Sequence, residues 1–109
     1  MIGLFKNKGL MSIDDYNDVI TNDKTISLID VRTKEEYADG HIPGSINLPV
    51  DEAENISRYV PDKSAKMLVY CRSGARTSRA CQIFKTLGYK NVTNIGGILD
   101  WSGKIVKGD

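Results

Sequence analysis

Hydrophobic and polar positions along the chain change period several times, and each change marks an element. Ser12-Ile13-Asp14-Asp15 sets a hydroxyl residue three positions before a carboxylate, a capping signal that opens a helix to about Ile20. Ile26 to Val31 is short, apolar and β-branched, as a buried strand is. Thr33 caps a short helix over Lys34 to Ala38, stopped by Asp39-Gly40. Ile42-Pro43-Gly44 is a turn, Ser45 to Leu48 a short strand, and Asp51 to Tyr59 a charged helix that Pro61 ends. Lys66 to Tyr70 is a second buried strand. Beyond a polar hinge, Thr77 opens a helix with Ala80, Cys81, Phe84 and Leu87 at core spacing and Gly88 as its C-terminal cap. Val92 to Ile95 is a third strand, and Gly96-Gly97 turns the chain into a last helical stretch carrying Ile98, Leu99 and Trp101. Strands alternating with helices predict one α/β domain with parallel pairing.

Composition narrows the function classes. The 109 residues suffice for one domain with its own core. A formal net charge of +1 argues against nucleic-acid binding through bulk charge. Two cysteines and one histidine cannot build a structural zinc site and are too few for a secreted disulfide framework, so no metal is expected. No apolar run approaches the ~18 residues of a membrane span. Met1 to Met11 has no signal-peptide core, because Lys6, Asn7 and Lys8 interrupt it. The expectation is a cytoplasmic protein with no membrane partner. Residues 1–11 read as an N-terminal arm and 12–109 as the domain; Lys6 to Lys8 reads equally as a disordered arm or a docking segment.

Charge is segregated along the chain. Through Asp62 there are six basic and twelve acidic residues, net −6; from Lys63 onward nine and two, net +7. Such a split is commonly a solvated dipole. Here Arg72, Arg76 and Arg79 crowd one short stretch, as in an anion site.

That stretch, Tyr70 to Thr77, joins a buried strand to a helix, where parallel sheets bind ligands. Ser73, Gly74 and Ala75 are small enough for the backbone to curl and aim successive amides inward. Cys71 at the mouth would feel those amides, the helix dipole and the arginines. All three favour thiolate, so its pKa should fall below the usual value of about 8.5. Such a thiolate is a nucleophile that needs no histidine base.

Three segments carry a family resemblance. They are Asp30-Val31-Arg32 with Glu36-Tyr37 and Gly40 to Asn47; the six residues Cys71 to Arg76; and Asn94 to Ile98 with Trp101. In this order the chain, from about Ser12 to Trp101, resembles a single-domain rhodanese, a sulfurtransferase. The resemblance implies a parallel sheet of about five strands with helices on both faces. It implies a persulfide mechanism without a cofactor. Cys71 would take sulfur from thiosulfate or a persulfide donor, amides of Arg72, Ser73, Gly74, Ala75 and Arg76 would hold it, and a thiol, a protein or cyanide would accept it. Arg72 would meet the anionic donor at the rim; Arg76 would brace the loop or bind the anion from behind.

The remaining residues have two readings each. Asp30 and Arg32 form a structural ion pair or touch substrate. Glu36 reaches the pocket or only caps it; some two-domain relatives carry a basic residue there, so the acidic one weakens the case for thiosulfate. His41 reads as a turn residue rather than a base, Cys81 as a core thiol rather than a redox partner of Cys71, Trp101 as core, and Arg79 as rim or surface. Two other classes stand beside sulfur transfer. Phosphatases or arsenate reductases place five residues between Cys and Arg where this chain has four, Arg72 to Ala75. Non-catalytic docking modules of this family frequently lack the cysteine. An enzyme and a persulfide carrier are not separable at this level.

Overall fold

Two strands with strictly alternating side chains build the centre of the protein, and each face of the sheet collects its own core. The structure is a computed structural model describing residues 12–108. The N-terminal arm expected over 1–11 lies outside the described residues. β1 (Ser27–Asp30) pairs in parallel with β3 (Lys66–Cys71), Leu28 opposite Leu68 and Asp30 opposite Tyr70. β2 (Ile46–Asn47) flanks β1 and β4 (Asn91–Gly97) flanks β3, giving the all-parallel order β2-β1-β3-β4. On one face Ile29, Val31, Met67, Val69 and Cys71 pack against a 3₁₀ helix (Val50–Arg58) and α3 (Ala75–Thr86). On the other, Leu28, Leu68, Tyr70 and Ile95 pack with Ile13, Ile42 and α1 (Asn17–Asn22). This is the α/β architecture with helices on both faces.

The described residues hold four strands rather than about five. Between Ser12 and β1 the chain forms helical turns but no strand, and the segment after β4 forms a 3₁₀ turn (Ile98–Asp100) and an isolated antiparallel bridge, Val106 to His41, but no further strand. Ser12 does open a helix, with its N–H donating to Asp15 Oδ2 at 2.9 Å. The first turn is 3₁₀ (Ile13–Tyr16), and α1 runs on to Asn22. The segment expected as a charged helix over Asp51 to Tyr59 winds as 3₁₀ because its buried residues, Val50, Ala53 and Ile56, recur every third position. Three residues per turn keep such a stripe on one face, where an α-helix would rotate it away.

Other boundaries moved for local reasons. Gly96 and Gly97, expected as a turn, are the last residues of β4; the register slips between Val69 and Tyr70, so Tyr70 faces Gly96 and Cys71 faces Gly97. Leu87, expected in the core, is instead the exposed C-cap residue of α3, and Gly88, expected as the cap, follows it at φ +101°. Trp101 is half-buried at the edge of the second core, and its Nε1–H donates to the Lys104 carbonyl at 3.0 Å. No helix among the described residues is long and apolar enough to cross a membrane.

The end of β1 is locked by a buried ion pair. Arg32 Nη2 lies 2.7 Å from Asp30 Oδ2 and also donates to the Gly40 carbonyl at 2.7 Å, while Arg32 Nε donates to Asp30 Oδ1 at 3.0 Å. Asn47 Nδ2 donates to the carbonyls of both Asp30 and Arg32, which ties β2 to the same corner. Asp30→Ala would strand a guanidinium in a residue only 5% exposed. The expected loss is about 3–5 kcal/mol of stability, read as a lowered urea midpoint. A midpoint within error of the native one would show that water reaches this corner and compensates Arg32.

Candidate functional site

β3 ends on Cys71, and only Arg72-Ser73-Gly74 separate it from α3. The helix starts at Ala75, two residues before the expected Thr77, so Ala75 and Arg76 belong to its first turn rather than to a loop. Gly74 makes this possible: it is the N-terminal cap residue at φ +108°, a left-handed conformation that glycine adopts without strain. It carries no capping side chain. The free N–H groups of the first turn therefore face the Cys71 sulfur, and Gly74 N–H donates to Sγ at 2.9 Å. β4 closes the turn from below. A Cβ on Gly97 would fall on the Arg72 carbonyl and within 2.6 Å of Ser73 Cα, and Leu99 N–H donates to the Arg72 carbonyl at 3.1 Å.

The thiol is 1% exposed, on the face it shares with Ile29 and Val31. Burial pushes its pKa up, but the hydroxyl and amide of Thr77 and the amides of Gly74 and Arg76 outweigh it and hold the pKa below the ordinary thiol value. The N-terminus of α3 acts in the same direction. The single hydroxyl proton of Thr77 has two acceptors, the Gly96 carbonyl at 3.3 Å and the sulfur. An ionised sulfur is the stronger acceptor. Cys81 is the contrast: on the apolar side of α3, burial pushes its thiol up to about 11.

The three arginines part company. Arg72 is exposed at the rim, beside exposed Ser73 and Ala75. Arg76 is half-buried and bound by both guanidinium arms to Glu36, Nη1 to Oε1 at 2.6 Å and Nη2 to Oε2 at 3.0 Å. Glu36 belongs to the first turn of α2 (Lys34–Asp39), where its carboxylate also accepts from Thr33 N–H at 2.9 Å. Glu36 thus both caps its own helix and reaches the turn. Hydrogen bonding to Arg76, outweighing burial, holds its pKa at about 2. Arg79 lies 3.6 Å from Asp51 in solvent.

Asp30 and Arg32 stand on the other face of the sheet from Cys71, with Arg32 over the Tyr70 ring, so their contacts are structural. The next residue after β1, Val31, donates its N–H to the Tyr70 carbonyl at 2.9 Å. His41 is buried, stacked on Tyr37 at 3.6 Å with Nδ1 donating to the Tyr37 carbonyl. Two contributors escaped the sequence reading. Thr77 was visible as a helix opener, and Gly97 as half of a turn within a signature segment, neither as a neighbour of the sulfur turn. Among the described residues no three His, Cys, Asp or Glu side chains converge as a metal site.

A parallel α/β sheet whose third strand delivers a buried thiol, its pKa held down, to a helix N-terminus defines a domain with a cysteine disposed to act as a nucleophile. The chain matches the family model of the rhodanese-like domain over residues 12–104, and it belongs to that family. It is 42% identical over 81 residues to thiosulfate sulfurtransferase PspE of Escherichia coli (strain K12), covering 73% of this chain and 78% of that one. It is 32% identical over 95 residues to YrkF of Bacillus subtilis (strain 168), named provisionally as a sulfur carrier protein, covering 86% of this chain and 51% of YrkF. A solved structure described as a rhodanese with anions from E. coli superposes with a TM-score of 0.71 at 40% identity, covering 75% of this chain and 98% of that one. The chain is thus a sulfurtransferase-type domain.

Thr77→Val removes one donor from the sulfur and keeps the shape, so the thiol form gains. The midpoint of iodoacetamide alkylation of Cys71 against pH should rise by about one unit, and Thr77→Ser should restore it. Coincident profiles for Val and Thr would remove the hydroxyl from the site.

Proposed function

We propose that the protein transfers sulfane sulfur through a persulfide on Cys71. The observation that carries this reading is the Gly74 N–H on Cys71 Sγ at 2.9 Å inside a turn of three residues. Donors aimed at that sulfur also stabilise a second sulfur attached to it, before and after reaction alike. With thiosulfate, the Cys71 thiolate attacks the outer sulfur, the S–S bond of thiosulfate breaks, and sulfite leaves with the bonding pair. With a persulfide donor, the leaving group is a thiolate. A thiophilic acceptor (a cellular thiol or protein, or cyanide in an assay) then attacks the terminal sulfur, the S–S bond to Cys71 breaks, and Cys71 leaves as its thiolate. No step calls for a cofactor.

In this reading Cys71 is the nucleophile, and the backbone of Ser73, Gly74, Ala75 and Arg76 holds the transferred sulfur. Arg72 meets the incoming anion, while Asp30, Arg32 and Glu36 support the turn. The domain is residues 12–109. Both cysteines are free thiols, which suits a reducing, cytoplasmic setting. The pairing of Arg76 with Glu36 disfavours the phosphatase reading, because the guanidinium that would grip a phosphate is already bidentate to a carboxylate.

Brief exposure to thiosulfate or to cysteine persulfide, followed by intact-protein mass spectrometry, should add one sulfur atom to the native chain and none to Cys71→Ala. An adduct on Cys71→Ala, or none on the native chain with either donor, would overturn the mechanism. Multiple turnovers with cyanide or a thiol would mark an enzyme, and a persistent adduct would mark a carrier. Arg72→Ala should raise the KM for thiosulfate about threefold to tenfold at a similar melting temperature. An unchanged KM would remove Arg72 from the rim.

A further inference from the structure

We infer that Glu36 sets donor preference: by neutralising Arg76 it leaves the turn with one unneutralised guanidinium, Arg72, and so favours a singly charged persulfide over dianionic thiosulfate. This rests on the Cys71 persulfide reading above and deepens it.

Glu36 is fixed from two sides. Thr33 N–H and Oγ1 donate to its Oε1 at 2.9 and 3.1 Å, and Arg76 closes on both oxygens at 2.6 and 3.0 Å. A carboxylate gripped by its own helix cap and by a planar guanidinium is held in place rather than swinging in solvent. It also stays ionised, since hydrogen bonding to Arg76 keeps its pKa at about 2. The positive charge of Arg76 is therefore matched at neutral pH.

Of the other two arginines, Arg79 lies against Asp51 at 3.6 Å. No carboxylate among the described residues meets Arg72. The thiolate brings one negative charge to the turn and thiosulfate brings two more, so attack on thiosulfate gathers three negative charges. Attack on a persulfide anion gathers two, and on its protonated form one. The sulfur balance is the same in each case: the donor's S–S bond breaks as the Cys71 Sγ–S bond forms. What differs is the charge that must be brought to the rim, and one free guanidinium beside backbone amides serves the lower charge better.

A purely structural Glu36, acting as cap and brace, would affect both donors alike. Glu36→Gln separates the two roles. Glutamine at the third position of a helix keeps the capping box and can still accept one hydrogen bond from Arg76, but it carries no charge. The readout is the rate constant for sulfur loading of Cys71, followed by mass spectrometry, with thiosulfate and with cysteine persulfide. In Glu36→Gln the ratio of thiosulfate to persulfide rate constants should rise about tenfold. In Arg76→Gln, which leaves the carboxylate bare beside the site, the ratio should fall below native, and the double variant should return toward it. An unmoved ratio in Glu36→Gln, or equal losses with both donors, would overturn the inference. If Glu36→Gln does not fold, Arg76→Gln carries the test, and a ratio at or above native overturns it. Failure of the underlying reading looks different: the native chain would then load no sulfur from either donor.

Discussion

Everything at the site depends on turning a strand into a helix within three residues around one sulfur atom. Arg72-Ser73-Gly74 reverses the chain because Gly74 takes φ +108° and because the chain beneath has no Cβ at Gly97. The slip in the β3–β4 register, between Val69 and Tyr70, places Gly96 opposite Tyr70 and Gly97 opposite Cys71. An unbroken ladder would set Ile95 opposite Tyr70, and the turn would meet different residues. The bulge, the two glycines and the early start of α3 are thus one device. It leaves the first amides of α3 without side-chain caps, and the thiol occupies the position a capping oxygen would otherwise take.

What was legible in the sequence was local. The alternation of Leu28 and Ile29, and of Met67 through Cys71, puts successive side chains on opposite faces, and both cores follow from it. Thr33 reads as a helix cap and is one, with Glu36 completing a capping box that the sequence reading did not name. Cys71 stood out because small residues and cations surround it within six positions. The illegible features are those that other strands decide. Two adjacent glycines read as a turn, and only the contact with Arg72 and Ser73 shows why the end of a strand needs them. Glu36 and Arg76 lie forty residues apart, so neither side chain announces the other. The spacing of Val50, Ala53 and Ile56 did carry the 3₁₀ winding, but charge on the intervening residues drew the reading toward an α-helix. The fifth strand came from the resemblance and not from any periodicity in the chain.

The segregation of charge along the chain finds its explanation in the sheet order. β1 and β2 come from the acidic half, β3 and β4 from the basic half, and β1 lies directly beside β3. The ends of the two halves therefore meet in space, and three ion pairs cross the divide: Asp23 with Lys66, Glu36 with Arg76, and Asp51 with Arg79. The first and last span 3.9 and 3.6 Å, with every partner exposed except the half-buried Asp23, a kind of contact that contributes little. The middle one is short and bidentate.

Its position explains why that pair matters more than its count suggests. Arg76 sits in the first turn of α3, where the helix dipole disfavours a cation, and Glu36 sits in the first turn of α2, where the dipole favours an anion. Joining them removes the conflict at α3 without placing a carboxylate directly on the sulfur. Against burial, the thiolate of Cys71 is then favoured by the Thr77 hydroxyl and by the N–H groups of Thr77, Gly74 and Arg76, the last three held in position by the backbone. In the proposed transfer, amides fixed by the fold would need no rearrangement as charge moves from one sulfur to the next, whereas a flexible guanidinium would have to be reoriented at each step. On that proposal the carboxylate paired with Arg76 leaves the sulfur to the backbone and recognition of the incoming donor to Arg72.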